Sequence, residues 1–289
     1  MVAITREQRQ YETYILTDPL AEAQAEIVPE RGGILTRWQL QGQELLYLDA
    51  ERFAQPELTV RGGIPILFPI CGNLPDDTYT YGNQSYRLKQ HGFARDLPWQ
   101  VTEQRTGNGA ALTLSLTSNE RTRAVYPFEF QMDFTYRLHH TTLSIEQRYL
   151  NRSAVAMPFS TGLHPYFQVN DKTQLRFDIP ATQLQDQRTQ RVHPFTGGFN
   201  FDVDEIDVAF RDISQPSASV TDPERQLQMM IEFDPIYSTL VFWTVQGKAY
   251  YCLEPWTAPR NALNTGDHLI TLEPGNELRT TVKLTARFL

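Results

Sequence analysis

Hydrophobic and polar residues alternate most regularly between Phe128 and Leu138. Six apolar side chains in this stretch are each separated by one polar residue: Phe128, Phe130, Met132, Phe134, Tyr136 and Leu138. A period of two predicts a β-strand with one buried face and one solvated face. A polar turn at 139–142 is followed by a second alternating run over 143–149. The pattern therefore predicts a long β-hairpin.

Shorter strand patterns run from one end of the chain to the other. Apolar runs bounded by Gly and polar turn residues predict strands over 12–17, 26–29, 34–40, 44–48, 99–104, 111–117, 175–179, 226–233, 239–244, 249–253 and 281–288, and a further hairpin over 78–88. Helical periodicity is weak, and only short turns are predicted near 120–126 and 260–264. No repeat or linker divides the chain. We therefore predict an all-β fold, with residues 1–289 forming one large antiparallel β-sandwich domain whose loops carry the function.

Composition narrows the classes of protein that this chain can represent. The 289 residues are 40% hydrophobic, enough for a sizeable core. The net charge of −8 and the lack of a basic run argue against nucleic acid as a partner. Cys71 and Cys252 are too few for a disulfide framework and are not spaced as a metal-ligand pair, so two reduced, buried thiols are expected. With no apolar signal core and no run of about 20 apolar residues, we predict a cytoplasmic protein with no membrane partner.

Four stretches break the alternation and place Gly or Pro beside a charged or titratable residue, namely Arg61–Pro69, His91–Arg95, Thr161–Phe167 and Leu253–Thr257. Such positions allow a rigid sheet to present a side chain to a site. In the second stretch, an imidazole and a guanidinium flank a glycine, a combination that suits an anion or a pair of hydroxyls. Glu254 follows an almost wholly apolar run, where burial raises a carboxyl pKa unless the group is paired. That is the setting of a tuned acid or base.

Each of these residues also has a structural interpretation. Arg61 could be a surface residue before a glycine turn, and His164 could cap a strand end before Pro165. Glu254 could be neutralised by a nearby arginine. The histidines at 139, 140, 193 and 268 lie in predicted turns, and we interpret them as solvated.

Taken together, the four stretches resemble the galactose mutarotase superfamily, the aldose 1-epimerases, and within it the branch that includes hexose-6-phosphate mutarotases. The matching motifs are Arg61-Gly62-Gly63-Ile64-Pro65 with Phe68-Pro69, His91-Gly92-Phe93-Ala94-Arg95 with Trp99, Gly162-Leu163-His164-Pro165-Tyr166-Phe167, and Glu254-Pro255-Trp256. Their order and wide spacing match over residues 10–289. The resemblance implies a β-sandwich of the supersandwich type and interconversion of the α and β anomers of an aldose.

The resemblance also implies roles for individual residues. Glu254 takes the proton of the anomeric hydroxyl, His164 gives a proton to the ring oxygen, and His91 lies near the ring oxygen and hydroxyls. Asp207 matches an acidic residue that binds sugar hydroxyls, and Trp256 could pack on the apolar face of a pyranose. Because one acid and one base acting on a single ring suffice for this reaction, no metal and no other cofactor is expected.

Arg61 and Arg95 leave the substrate open between a sugar and a sugar phosphate. In the hexose-6-phosphate branch, arginines at such positions hold the phosphate, which a guanidinium fork suits. The chain departs from that branch over residues 70–76, and the pair Asp76-Asp77 would repel a phosphate if it pointed inward. We therefore expect a hexose mutarotase, with a hexose-6-phosphate 1-epimerase as the alternative. A monomer or weak dimer is expected.

Two rival classes remain open. A non-catalytic carbohydrate-binding protein on the same fold would not need the proton pair of His164 and Glu254. A glycoside hydrolase would use two carboxylates, and only Asp207 could partner Glu254.

Overall fold

The chain is built almost entirely from β-strands, and the computed structural model describes all 289 residues. The first twelve strands are β1 (Ala3–Gln8), β2 (Glu12–Asp18), β3 (Ala23–Val28), β4 (Ile34–Leu40), β5 (Gln43–Glu44), β6 (Ile66–Leu67), β7 (Thr78–Tyr81), β8 (Gln84–Arg87), β9 (Gln100–Arg105), β10 (Ala110–Thr117), β11 (Phe130–His139) and β12 (Thr142–Asn151). The others are β13 (Met157–Phe159), β14 (Gly162–Leu163), β15 (Tyr166–Gln168), β16 (Arg176–Asp178), β17 (Gln183–Asp186), β18 (Val192–Pro194), β19 (Glu205–Phe210), β20 (Ser217–Asp222), β21 (Leu227–Phe233), β22 (Thr239–Val245), β23 (Tyr250–Trp256), β24 (Ile270–Leu272) and β25 (Glu277–Phe288). The predicted all-β class is confirmed.

Helical structure is confined to short connections. The α-helices are α1 (Ala50–Phe53), α2 (Glu120–Val125) and α3 (Ala262–Thr265), and 3-10 turns occur at Pro29–Arg31, Pro75–Asp77, Ala94–Asp96 and Lys172–Gln174. The two short turns predicted near 120–126 and 260–264 correspond to α2 and α3. None of these helices has the length and apolar character needed to cross a membrane.

Two large antiparallel sheets form the framework of the fold. The first has the order β16-β20-β21-β25-β12-β11-β10-β9, and the second has the order β18-β17-β19-β22-β23-β14-β6, with β15 also pairing with β23. Strands β1 to β5 form a five-stranded meander, while β7 with β8 and β13 with β24 form two-stranded sheets. The second large sheet carries Asp207, Glu254 and Trp256, which line the site described below.

The predicted hairpin at the centre of the first sheet is confirmed. β11 and β12 pair from Phe130 with Asn151 to His139 with Thr142, and their side chains alternate between buried and half-buried. The turn is attached to β2, because Asp18 Oδ2 accepts a hydrogen bond of 2.8 Å from the backbone N–H of His140. The alternation therefore determined both the strands and the face that they bury.

Aromatic side chains fill the space between the sheets. Phe68 lies among five other rings at centroid distances of 5.1–6.0 Å, those of Phe93, Tyr126, Phe130, Tyr149 and Phe159. The buried hydroxyl of Tyr136 donates a hydrogen bond to Gly33 O at 2.7 Å. Through Phe68 and Phe93, the Arg61–Pro69 stretch and the His91–Arg95 stretch are thus attached to the core.

Several strands were not predicted from the pattern. β1, β17 and β18 contain no buried residue, so they lack the alternation that marks a strand with one buried face. β13, β14, β15 and β24 are only two or three residues long. These elements depend on pairing with distant strands rather than on local sequence.

Candidate active site

A polar cavity of about 240 Å³ lies against the second large sheet. Four of its fifteen lining residues are hydrophobic. All seven residues predicted as site residues line it: Arg61, His91, Arg95, His164, Asp207, Glu254 and Trp256. The volume is below the roughly 300–1,000 Å³ of drug-sized ligand pockets, so the cavity is on the scale of a small polar ligand.

Glu254 projects from the central part of this sheet. Its strand, β23, is buried along its whole length, and Glu254 itself is 1% exposed. Residues 252, 254 and 256 share one face of the strand because side chains alternate. Glu254 Oε2 accepts a hydrogen bond of 3.1 Å from Trp256 Nε1. The apolar run identified in the sequence therefore delivers a buried, oriented carboxyl group.

His164 lies in the two-residue connection between β14 and β15, beside β23. Its Nε2 is 3.3 Å from Glu254 Oε1. The ring stacks on Tyr166 with a centroid distance of 4.7 Å and an interplanar angle of 10°. Its backbone N–H donates to Pro65 O at 3.1 Å, which attaches this connection to the Arg61–Pro69 stretch. The imidazole and the carboxyl group form a buried acid–base pair.

His91 is held by a reciprocal pair of hydrogen bonds with Gly72. Its backbone N–H donates to Gly72 O at 2.7 Å, and Gly72 N–H donates to His91 Nδ1 at 3.0 Å. Since Nδ1 is an acceptor, the neutral ring carries its hydrogen on Nε2. The backbone of His91 has φ +66°, a strained conformation for a non-glycine residue that is found at functional sites. Its ring centroid is 5.6 Å from that of His164.

Burial favours the uncharged forms of these three groups. It raises the pKa of Glu254 well above its usual range, and the negative charge of Asp207 adds to this effect. Burial lowers the pKa of His91 and of His164 well below the usual range, and the positive charge of Arg95 adds to both shifts. The pair of His164 and Glu254 can therefore exchange a proton without either group being locked in its charged form.

Asp207 projects from β19 into the same cavity. Its Oδ2 accepts a hydrogen bond of 2.7 Å from Arg260 Nη2, while its Oδ1 is buried with no partner in the protein. Burial raises the Asp207 pKa, and the opposing effect of Arg260 is smaller. One oxygen of this carboxyl group is thus fixed, and the other is left to accept a hydrogen bond from a ligand.

Arg61 and Arg95 lie at the cavity with unused hydrogen-bonding capacity. Arg61 is exposed, and its guanidinium carbon lies 5.2 Å from the centroid of the Trp243 ring. Arg95 is half-buried; its Nη2 donates to Gln90 O at 2.9 Å, whereas its Nε is buried with no partner in the protein. Neither arginine forms a salt bridge with a carboxylate, so both can interact with a ligand.

Trp256 does not present an open ring face as the sequence suggested. It is 1% exposed, and the Arg260 guanidinium carbon lies 5.7 Å from its ring centroid. Its indole N–H is used on Glu254. Trp243, which no sequence pattern singled out, is half-buried at the cavity and donates from Nε1 to Glu205 Oε1 at 2.7 Å.

Arg260 is the other residue that sequence reasoning missed. Its three hydrogen-bond partners lie 53, 73 and 187 residues away along the chain. Only a short turn was predicted at this position, and no local pattern marks an arginine whose partners are so distant.

A metal interpretation of the cavity is less favourable than an acid–base one. His164, Cys252 and Glu254 offer ligand atoms that all lie within 4.8 Å of one another. Burial, however, raises the pKa of the Cys252 thiol well above its usual range, which disfavours the thiolate that a metal requires. Two of these residues, His164 and Glu254, form an acid–base pair that needs no cation.

Comparison with known proteins agrees with the geometry. The family model described as "Aldose 1-epimerase" matches residues 12–285. The structure of the Slr1438 protein from Synechocystis sp. PCC 6803 superposes with a TM-score of 0.95 at 47% identity, covering 100% of this chain and 99% of that one. A galactose mutarotase-like protein from Clostridium acetobutylicum has a TM-score of 0.85 at 22% identity, covering 100% and 99%, and shows the same fold.

A relative from Cenchrus ciliaris named "Putative glucose-6-phosphate 1-epimerase" is 27% identical over 279 residues, which cover 88% of this chain and 79% of the relative. The family match spans nearly the whole chain, as the resemblance of the four motifs predicted. This chain belongs to the aldose 1-epimerase family and is an isomerase that interconverts the anomers of hexoses.

Proposed function

We propose that the polar cavity is the epimerase active site and that Glu254 and His164 carry the two proton transfers. The observation that carries this proposal is the distance of 3.3 Å between His164 Nε2 and Glu254 Oε1 at the cavity wall. Ring opening must remove a proton from the anomeric hydroxyl and add one to the ring oxygen. These two oxygens are bonded to the same carbon, so an acid and a base must lie side by side to reach both.

The reaction proceeds by ring opening and closure. The Glu254 carboxylate accepts the proton of the anomeric hydroxyl, the C1–O5 bond breaks, and O5 takes a proton from His164. The product is the open-chain aldehyde. Rotation about its C1–C2 bond presents the other face of the carbonyl, and the same transfers in reverse close the ring as the other anomer. The proton count of the enzyme is unchanged at the end.

In the working form, His164 and Glu254 together carry one dissociable proton besides the N–H of the neutral imidazole. In this form the proton can lie on the imidazole or on the carboxyl group, and burial, which raises the pKa of Glu254 and lowers that of His164, favours the uncharged arrangement over the ion pair. A carboxylate with a raised pKa is also a stronger base than a solvated one.

His91 and Asp207 orient the sugar in this mechanism. The His91 ring, fixed with its hydrogen on Nε2 by Gly72, donates to a ring or hydroxyl oxygen. Asp207 Oδ1 accepts from a sugar hydroxyl. Trp256 acts through Glu254, which it holds by a hydrogen bond, rather than by stacking on the pyranose.

A hexose 6-phosphate is the second candidate substrate, and the free guanidinium groups favour it. Arg61 has no carboxylate partner, and Arg95 Nε is buried with no partner in the protein. A phosphate would provide charge-assisted hydrogen bonds to both. Asp76 and Asp77 do not line the cavity, so the repulsion considered from the sequence does not apply there. The Cenchrus ciliaris relative is also named for a hexose 6-phosphate, glucose 6-phosphate.

Anomer exchange measured by NMR on glucose, galactose and glucose 6-phosphate tests the proposal. Wild-type protein is expected to accelerate exchange of at least one of them above the spontaneous rate. If the phosphate is bound by the arginines, the double replacement of Arg61 and Arg95 by Gln lowers kcat/KM for glucose 6-phosphate by roughly 10–1,000-fold and that for glucose much less. Equal losses would refute the phosphate assignment, and no acceleration of any sugar would refute the active site.

We also place the enzyme in the cytoplasm as a monomer or weak dimer acting on a sugar or sugar phosphate. Cys71 and Cys252 are both free and buried, which suits a reducing compartment.

A further inference from the structure

Arg260 connects three separate segments around the cavity. It lies in the loop between β23 and α3, and its side chain is 22% exposed. Nε donates to Gln187 Oε1 at 3.1 Å, Nη1 donates to Asn73 Oδ1 at 2.9 Å, and Nη2 donates to Asp207 Oδ2 at 2.7 Å. Each nitrogen of the guanidinium group therefore has its own protein partner. A planar fork of this kind fixes the positions of all three partners relative to one another.

The aliphatic stem of Arg260 packs on the glycine that holds His91. A side chain at Gly72 would place its Cβ 2.3 Å from Arg260 Cγ, so the stem occupies the space where that Cβ would be. Gly72 has φ +70° and exchanges both hydrogen bonds with His91. Displacement of the stem would release Gly72 and with it the orientation of the His91 ring.

The same guanidinium group covers the residue that holds Glu254. Its carbon lies 5.7 Å from the Trp256 ring centroid, and Trp256 Nε1 donates to Glu254 Oε2 at 3.1 Å. Arg260 is thus one contact away from His91 and from Glu254, and in direct contact with Asp207. None of these contacts involves a reacting atom.

We propose that Arg260 is the positioning residue of the active site. It holds Asp207 with Oδ1 directed to the sugar, and it fixes Gly72 and Trp256, the residues that hold His91 and Glu254. This inference rests on the proposed function of the cavity. It also divides the arginines of the cavity into two kinds. Arg260 is committed to the protein through every guanidinium nitrogen, whereas Arg61 and Arg95 retain donors for the ligand.

Replacement of Arg260 by Gln and by Lys tests the proposal, with kcat and KM measured by anomer exchange for the best substrate. Loss of a side chain that orients catalytic groups typically costs about 10–100-fold, and we expect R260Q to lose this much in kcat/KM, with a lower kcat. R260K keeps the charge and the stem but has no fork, so we expect it to recover part of the loss.

A double-mutant cycle with Asp207→Asn shows whether Arg260 acts through Asp207. If it does, the kcat/KM of the double variant R260Q/D207N lies within about threefold of the worse single variant, because residues in direct contact are not additive. Multiplied losses would overturn the proposal that Arg260 acts by holding Asp207. So would wild-type kcat and KM in R260Q.

Arg225→Gln is the matched control. Arg225 also joins separate segments, donating to Gln168 O at 2.6 Å and to Glu44 O, but it does not line the cavity. We expect R225Q to lower thermal stability while kcat/KM stays within about twofold. Equal losses of activity in R225Q and R260Q would mean that Arg260 is only structural. If Glu254→Gln keeps wild-type activity, the proposed function itself fails; if E254Q is inactive and R260Q is not, only the present inference fails.

Discussion

Replacing Glu254 with Gln removes one function and leaves the surrounding structure in place. The amide has the size of the carboxyl group, and its oxygen can still accept the 3.1 Å hydrogen bond from Trp256 Nε1. Its nitrogen can face His164 Nε2 across the 3.3 Å that now separates the imidazole from the carboxyl group. If Glu254 is the base, as proposed, what is lost is the ability to take a proton from the anomeric hydroxyl.

The size of the loss follows from the role of a positioned base. General acid–base catalysis by one group contributes about 10²–10⁴-fold, which is about 2.7–5.5 kcal/mol of the activation free energy. The substrate still meets His91 and Asp207, which line the same cavity. We therefore expect kcat to fall by about 10³-fold while KM changes by less than about fivefold, the signature of an interaction made in the transition state.

E254Q should lower activity without lowering the stability of the folded protein. Burial raises the Glu254 pKa above its unfolded value, so the contribution of this group to stability is complete at low pH and is lost as pH rises through the folded pKa. The neutral amide has no such loss. At about pH 8, E254Q should therefore unfold in urea at the same or a higher midpoint than the wild type.

Anomer exchange NMR, corrected for spontaneous mutarotation, measures the catalytic effect, and Glu205→Gln is the matched control. Glu205 also lines the cavity and accepts from a tryptophan Nε1, at 2.7 Å, but it has no imidazole partner. We expect E205Q to change kcat by no more than about threefold. Wild-type kcat in E254Q, or equal losses of kcat in the two variants, would refute the assignment of Glu254 as the base.

Two further predictions concern the His91 segment. Burial lowers the pKa of His91 below its ordinary value of 6.5, so the unfolded chain takes up a proton that the folded protein does not, and stability is lost as pH falls through 6.5. From about pH 7.0 to 5.5 the wild type should therefore lose stability relative to H91Q in urea unfolding, and parallel pH profiles would contradict this. At Gly92, which has φ +69°, an added Cβ would lie 2.2 Å from Phe68 O, so G92A should lower the free energy of unfolding by at least about 2 kcal/mol. G82A, with open space around the added Cβ, should lower it by about 1 kcal/mol, and similar losses in the two variants would count against the clash.

Local sequence was sufficient to predict the class of the fold, and with the resemblance of its motifs it supplied seven of the residues that line the cavity. The alternation over 128–138 gives the half-buried β11, because a period of two has a single geometric meaning. The run before Glu254 indicated burial of the carboxyl group in the same way. Gly and Pro beside His91 and His164 marked the points where strands give way to the site. The resemblance of these motifs to the family then brought seven residues together that all line one cavity.

Tertiary structure alone decided how those residues are arranged. His164 and Glu254 are ninety positions apart in the chain and become neighbours only because β14 and β15 pair with β23. The hydrogen bond from Trp256 to Glu254 was likewise not readable from the sequence. Arg260 had no local signal, since its partners come from three distant segments. In a sheet, hydrogen bonding joins residues without regard to their separation in sequence, so periodicity can predict which side chains are buried but not which of them meet.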